Sequence, residues 1–315
     1  MSPSVSTPTQ HVPVMLERCL DALAPQPDTW LVDGTFGAGG HTRALLARGA
    51  RVLGIDQDPH ALAHAEALRD DLRTAGVSMP DERFRFAQGN FADLASHLEA
   101  VGLPAHGGVH GVLLDLGVSS MQLDEGERGF AFRHDGPLDM RMTASGPSAA
   151  DVVNGWSFEE LAAALHRYGE ERHSRRLARA IVAEREREPI TTTGRLVEVL
   201  QRAYPGGSRG SAQRRDHPAR RTFQALRIVV NDELGALERG LAAAAEALVV
   251  NGRVVVLSYH SLEDRIVKHT LRDRPDLDPL TKRPLEASPA EVEANPRARS
   301  AKLRSARKRA PEMAA

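Results

Sequence analysis

Three aspartates stand where short apolar runs end. Trp30-Leu31-Val32 ends at Asp33, Val52–Ile55 at Asp56, and Gly111–Leu114 at Asp115. Each run has the length and composition of a buried strand. In an open α/β sheet, ligands bind beyond the carboxyl ends of the strands. The three carboxylates are therefore predicted to face one crevice. Between Asp33 and the next helical pattern lies Gly34-Thr35-Phe36-Gly37-Ala38-Gly39-Gly40-His41. Glycines in such a turn let the backbone approach a ligand closely. Asp56 follows Gly39 by 17 residues, the place of the acidic residue that accepts hydrogen bonds from ribose hydroxyls. Together these features point to a nucleoside-containing cofactor.

The loop also narrows which one. A dinucleotide fingerprint needs a third glycine, and Gly37-Ala38-Gly39-Gly40-His41-Thr42 lacks it. There is no Lys-Ser/Thr pair for a phosphate loop. Asp33 at the head of the loop would repel a pyrophosphate and suits a cationic amino-acid moiety. S-adenosylmethionine carries an ammonium, a sulfonium and a ribose but no phosphate. The expected cofactor contacts are Asp33, Gly37, Gly39, Gly40, His41 and Asp56. His41 opens a helix, where the dipole disfavours a cation, so a contact through the neutral ring is expected. A dinucleotide-dependent oxidoreductase is the competing reading from another class.

The elements that must hold these residues follow the same pattern. Residues 13–24 read as helix, 41–48 as helix, 51–55 as strand, and 60–73 as an Ala- and Leu-rich helix. Residues 84–87 form a weak strand, 92–100 a helix, and Val109 to Leu114 a strong strand. This alternation predicts a Rossmann-like α/β fold, a parallel sheet with helices on both faces. The pattern then stops. Residues 116–150 are rich in Gly, Ser, Asp and Pro, and from Asp151 to about Arg215 the chain is helical and arginine-rich. Ser157 and Glu160 form a capping box. A long, broken helical stretch over 219–248 leads into the strand Arg253–Ser258 and a helix from about Leu262. One α/β domain with a helical insertion is the economical explanation.

Composition sets the outer limits. The chain has 315 residues, 41% hydrophobic and 26% charged, with a net charge of −1, enough for one large domain or two smaller ones. No apolar run spans a membrane, and the polar start MSPSVSTPTQ reads as a loose tail. Cys19 is the single cysteine, which excludes an intrachain disulfide and a cysteine-only zinc site. It reads as core filler in a cytoplasmic protein. No metal site is expected. Seven basic residues between Pro296 and Ala310, with no acidic ones, form either a solvated tail or a polyanion dock.

At Asp115 the sequence resembles a known family. Asp33–His41 (DGTFGAGGH), Gly54–Pro59 (GIDQDP), Leu113–Leu123 (LLDLGVSSMQL), Arg128–Phe132 (RGFAF), Leu138–Met142 (LDMRM), Phe223–Leu234 (FQALRIVVNDEL) and Ser258–Val267 (SYHSLEDRIV) occur in that order. They are similar to motifs of the bacterial small-subunit ribosomal RNA cytosine-N4 methyltransferases, over about His11 to Arg309. The resemblance implies a class I methyltransferase fold and methylation of the exocyclic N4 of a cytosine in the decoding centre of 16S rRNA. It implies cofactor contacts at Gly39, Gly40, His41, Asp56, Phe91, Asp115 and Gln122. It further implies the small ribosomal subunit as partner, and is compatible with a homodimer. The stretch Asp115–Ser120 departs from the Asp/Asn-Pro-Pro-aromatic motif of many amino-group methyltransferases. A methyltransferase acting on DNA or another RNA is the alternative of the same reaction type.

Such a reaction needs the amine lone pair aligned with the methyl group and an acceptor for an amine hydrogen. The candidate catalytic residues are Asp115 and Asp139, with Tyr259 and His260 beside an extruded base. Asp139 has a competing reading as a structural partner of Arg141 or Arg133. RNA contacts are expected at Arg214, Arg215, Arg220 and Arg221 and in the tail at Lys302 and Arg304, where the resemblance over 297–309 is compatible with a segment ordered against the sheet that still contacts RNA. The arginines of 166–187 read as a solvated face paired with interleaved glutamates. The expected layout is a flexible tail over 1–10, a methyltransferase domain over 11–136 and 216–295, an inserted, mainly helical recognition domain over 137–215, and a basic segment over 296–315.

Overall fold

A computed structural model describes residues 13–77, 79–119, 122–123, 125–205, 217 and 219–310. Arg214 and Arg215 and the N-terminal tail 1–10 lie outside the described residues. The chain divides into two compact units. One is built from the described residues up to Gly117 together with those from Leu237 on, and the other spans Val118–Ala236. Among the described residues, no helix is long and apolar enough to cross a membrane.

The first unit is a twisted sheet covered by helices. Its strands are β1 (Trp30–Asp33), β2 (Arg51–Asp56), β3 (Phe84–Gln88), β4 (Val109–Asp115), β5 (Leu248–Ser258), β6 (Leu277–Pro279), β7 (Leu285–Glu286) and β8 (Lys302–Lys308). The sheet order is β3-β2-β1-β4-β5-β8-β6, with β7 also pairing β8. The strands β1 to β5 run parallel, and β8 is antiparallel to β5. The central strands are buried on both sides, so they read as continuous Val/Leu/Ile runs. Val32, Val112, Leu114, Val254 and Val256 enter one core with Leu237, Leu241 and Ala244. Leu31, Leu113, Val255 and Leu257 enter the other with Met15, Cys19, Leu20 and Leu45. The strand order reverses at β1 and β4, which opens the crevice of a Rossmann-like fold at their carboxyl ends.

The basic segment is ordered against the sheet, not a solvated tail. Residues 302–308 are an inner strand, hydrogen-bonded to β5 on one side and to β6 and β7 on the other. Its polar residues sit inside because acidic groups meet them. Arg304 donates to both oxygens of Asp264 at 2.7 and 3.2 Å, and Lys308 Nζ lies 2.8 Å from Asp276. Arg274 forks onto the same Asp276 at 2.9 Å through two nitrogens. This holds the Asp276 carboxyl well below the usual carboxylate range.

The second unit is helical: Ala149–Gly155, Phe158–Gly169, Ser174–Arg185, Thr193–Ala203 and Ala219–Asn231. Ser148 and Ser157 each close a capping box, with Asp151 and Glu160 as reciprocal partners. Asp232 has a left-handed φ of 47° and separates Ala219–Asn231 from Glu233–Ala247, which is the break in the long helical stretch. Leu138, Leu161, Ile181, Leu196 and Phe223 share one core. That core also takes in Phe130 and, at its edge, Phe132, so this compact unit is wider than residues 137–215. Its arginines serve the fold in several places. Arg175 and Arg179 lie 4.8 and 5.7 Å from the ring centre of Phe158, and Arg185 donates to Val153 O at 2.7 Å.

Candidate active site

The crevice at the ends of β1, β2, β4 and β5 gathers most of the expected residues. Asp33 is the most buried, 1% exposed. Its two oxygens accept from Thr35 N at 3.3 Å and from the Thr42 hydroxyl at 2.7 Å. Burial raises its carboxyl above the ordinary range, opposed by His41 and these hydrogen bonds. Asp33 therefore shapes the glycine loop from beneath. Thr35 extends the tie, because its hydroxyl oxygen accepts from Asp115 N at 2.7 Å, locking the loop to β4. Neither threonine was anticipated; Asp33-x-Thr35 and Thr42 were the available signal.

The loop itself is built on close approach. Gly37 and Gly39 have left-handed φ values of 54° and 77°, a conformation that disfavours side chains. A Cβ on Gly39 would lie 2.8 Å from the Phe36 ring, and one on Gly40 would lie 2.4 Å from Pro13 Cγ. The segment Pro13–Met15 thus closes against the loop. His41 stands in the first turn of the helix Gly40–Ala47, 6% exposed. Its Nε2 lies 3.3 Å from Val14 O and its Nδ1 lies 3.9 Å from Asp115. The contribution of Pro13 and Val14 was not legible, since nothing local in the sequence links them to a loop 25 residues on.

Asp56 ends β2 and accepts two backbone N–H groups, from Gly37 at 2.7 Å and from Asp58 at 2.8 Å. A carboxylate has about four acceptor sites, so capacity remains for hydroxyl donors. Burial pushes its carboxyl up to about 6, against the pull of those two N–H groups. Phe91 opens a short 3₁₀ turn after β3, capped by Asn90. Its ring packs on Gly240 and its Cβ lies beside Gly34. Phe91 therefore borders the loop from the side of β4.

Asp115 ends β4 and is the carboxylate with a partner across the sheet. Tyr259, which follows β5, donates its hydroxyl to Asp115 Oδ1 at 2.6 Å. Burial raises the Asp115 carboxyl, opposed by His41 and by the Tyr259 hydrogen bond. Burial and the facing carboxylate hold the Tyr259 phenol well above its ordinary value, so it stays a donor. Glu263, 2% exposed, accepts from Tyr259 N at 2.8 Å and His260 N at 3.2 Å. His260 caps the helix Ser261–Asp273 in return, through Nδ1 and the backbone N–H of Glu263. Its Nδ1 is thus committed to the cap, while its Nε2 lies 3.1 Å from Glu263 Oε1. Glu263 is the positioning residue that sequence reasoning missed; the capping spacing of His260 and Glu263 was its signal.

Of the remaining expected residues, Gln122, Asp139, Arg220 and Arg221 belong to the second unit. Gln122 is 5% exposed, and its side-chain oxygen accepts from Ser119 N at 3.0 Å. Asp139 departs from the expectation of an amine-hydrogen acceptor. Arg141 forks onto its two oxygens at 2.9 and 2.6 Å and holds its carboxyl below the ordinary range, which makes it a poor proton acceptor. Arg220 and Arg221 are exposed, and Arg221 also donates to Glu170 O at 2.9 Å. In the first unit, Arg304 is 9% exposed and spent on Asp264, which corrects its expected place on an RNA-facing surface. Lys302 keeps 39% of its side chain exposed. One histidine pair, His60 and His64, stands four residues apart at the start of the helix Ala61–Thr74, a ligand-type spacing that the expectation of no metal site passed over.

Comparison with known proteins agrees with this geometry. The family model described as the MraW methylase family matches residues 8–309. The ribosomal RNA small subunit methyltransferase H of Deinococcus radiodurans is 55% identical over 300 residues, covering 95% of this chain and 90% of that protein. The protein of the same name from Deinococcus deserti is 54% identical, over 94% of this chain and 92% of that one. The one from Rhodospirillum centenum is 49% identical, over 96% and 93%. With the family model spanning nearly the whole sequence and relatives about half identical along it, the chain belongs to the MraW methylase family.

Proposed function

We propose that this protein transfers a methyl group from S-adenosylmethionine to the exocyclic N4 of a cytosine in the decoding centre of 16S rRNA, in the cytoplasm. The site's residues fit that cofactor. The backbone approach at Gly39 and Gly40 leaves no room for side chains, and Asp56 retains acceptor capacity for ribose hydroxyls. S-adenosylmethionine supplies an electrophilic methyl group on a sulfonium. Everything else falls to the chain.

Cytosine N4 is conjugated with its ring, so its lone pair is available only when the nitrogen turns pyramidal. A hydrogen-bond acceptor aimed at an amine hydrogen favours that geometry. Asp115 has the right type and place. Tyr259 occupies Oδ1, which orients the carboxylate and leaves Oδ2 as the acceptor. As the methyl group reaches nitrogen, one proton leaves it. A carboxylate whose affinity for protons is already raised by burial takes that proton more readily than an exposed one. Glu263 holds the Tyr259 backbone, and Thr35 holds the backbone of Asp115, so both partners are fixed before substrate arrives. The second unit serves substrate recognition, with Arg220 and Arg221 among its RNA contacts.

The observation that carries this reading is the 2.6 Å hydrogen bond from Tyr259 to Asp115 beside the glycine loop. Small subunits from a strain lacking the enzyme test it. Purified protein with S-adenosylmethionine is expected to create N4-methylcytosine in their 16S rRNA. Subunits that gain none would end the proposal.

A further inference from the structure

Six of the seven basic residues of segment 297–309 differ in how their charge is met. Arg304, Arg307, Lys308 and Arg309 all meet carboxylates, at Asp264, Asp278, Asp276 and Asp278 respectively. Arg304 is buried whereas Arg307 and Arg309 are exposed, but each of the four charges is met by a carboxylate. Arg299 is different. It is exposed and has no carboxylate partner among the described residues. Lys302 is intermediate. Its nearest carboxylate is Asp264 at 3.7 Å, and both oxygens of Asp264 already accept from Arg304.

Arg299 and Lys302 border one cavity of about 270 Å³, with Ser300, Glu286, His260 and Tyr259 on its other walls. Three things make this place suited to an anion. Its lining holds Arg299 and Lys302 against one carboxylate, Glu286, and Lys302 also faces Asp264 at 3.7 Å, so Arg299 is the cation with no carboxylate of its own. The helix Ser261–Asp273 begins at its wall, and a helix start adds partial positive charge from backbone N–H groups. The wall residue Tyr259 is the same one whose hydroxyl reaches Asp115. The cavity and the methyl-transfer site thus share a side chain, as neighbouring groups of one nucleotide strand would require.

We propose that this cavity binds a phosphodiester of the RNA strand adjacent to the target cytidine, with Arg299 and Lys302 as its cationic contacts. Arg299 offers a planar fork for phosphate oxygens, and Lys302 offers a mobile point charge. Ser300 supplies a neutral donor. Held there, the strand presents its base toward Asp115 and resists withdrawal during transfer.

The inference rests on the RNA-methyltransferase reading, so its test separates the two. Arg299→Ala and Lys302→Ala are compared with the wild type for binding to unmethylated small subunits across a salt series. Methyl transfer to the same subunits and affinity for S-adenosylmethionine are measured alongside. Each variant is expected to raise KM for subunits roughly ten-fold, the effect of one charge-assisted hydrogen bond, with kcat little changed. The slope of log affinity against log salt should fall by about 1, while cofactor affinity stays as in the wild type. Arg299→Lys should recover most of the loss. An unchanged salt slope in both alanine variants overturns the phosphate site, even if KM rises. A wild type that binds subunits but transfers no methyl group defeats the function instead. The salt slopes still decide the cavity in that case: a loss of about 1 keeps it as a phosphate site, and no loss removes it.

Discussion

Asp115 and Asp56 are both aspartates at strand ends, yet their surroundings give them opposite tasks. Asp115 faces a phenol and a histidine, whereas Asp56 faces backbone N–H groups. Asp115→Asn keeps the shape and removes the proton acceptor. It should cut kcat by roughly 10²–10⁴-fold with cofactor affinity retained, as single-turnover kinetics and calorimetry would show. Turnover near wild type would remove Asp115 from the chemistry. Asp56 gives a pH signature. Its carboxyl is raised from 3.8 to about 6 in the fold, so its contribution to stability is full below about pH 4 and is lost as pH rises through 6. Ribose hydroxyls donate to the ionised form. Cofactor affinity should therefore weaken as pH falls below about 6, and binding near that pH should release a proton. Calorimetry in buffers of different ionisation enthalpy measures that proton, and Asp56→Asn should abolish it.

At the scale of elements, local chemistry explains what the sequence revealed and what it concealed. The strands β1, β2, β4 and the core of β5 were legible because both their faces are buried and their residues are uniformly apolar. The loop was legible because glycines at positive φ have few substitutes. Gly39→Ala should weaken cofactor binding, since φ of 77° and the Phe36 ring at 2.8 Å both oppose a methyl group; the strain is worth about 1–3 kcal/mol. Order in β8 was legible only through the family resemblance, because Lys302-Leu303-Arg304-Ser305-Ala306-Arg307-Lys308 has the composition of a solvated tail. Its place depends on Asp264, Asp276 and Asp278, which no local pattern connects to it. Arg304→Ala strands Asp264 in a largely buried position and should cost about 3 kcal/mol in chemical denaturation. Pairing Arg304→Met with Asp264→Leu should recover much of that loss. No recovery would mean that β8 depends on the charge pair itself.

At the scale of the molecule, the helical unit interrupts the sheet unit between β4 and β5, and each has its own core. Leu196, fully buried in the helical unit, offers a way to perturb one alone. Leu196→Ala should lower stability by about 2–5 kcal/mol. Below its melting transition, affinity for S-adenosylmethionine should stay within about two-fold, because Asp33, Asp56 and the glycine loop lie in the other unit. A parallel loss of cofactor affinity would show that the two units unfold as one.

The seam between chain ends has a consequence for biosynthesis. Met15 N donates to Glu291 Oε1 at 2.5 Å across 276 residues, and β5 gains its second neighbour only from residues 302–308. During synthesis the parallel half of the sheet can assemble early, but β5 then presents an unpaired edge, and Pro13–Met15 lacks its anchor. Both are completed only by residues synthesised well after β5, at Glu291 and Lys302–Lys308. A nascent chain thus has an open sheet until Lys302–Lys308 has emerged, and chains truncated before Lys302 should aggregate through that open edge. Pulse-labelled truncation products that stay soluble and bind cofactor would show that the sheet closes without its final strand.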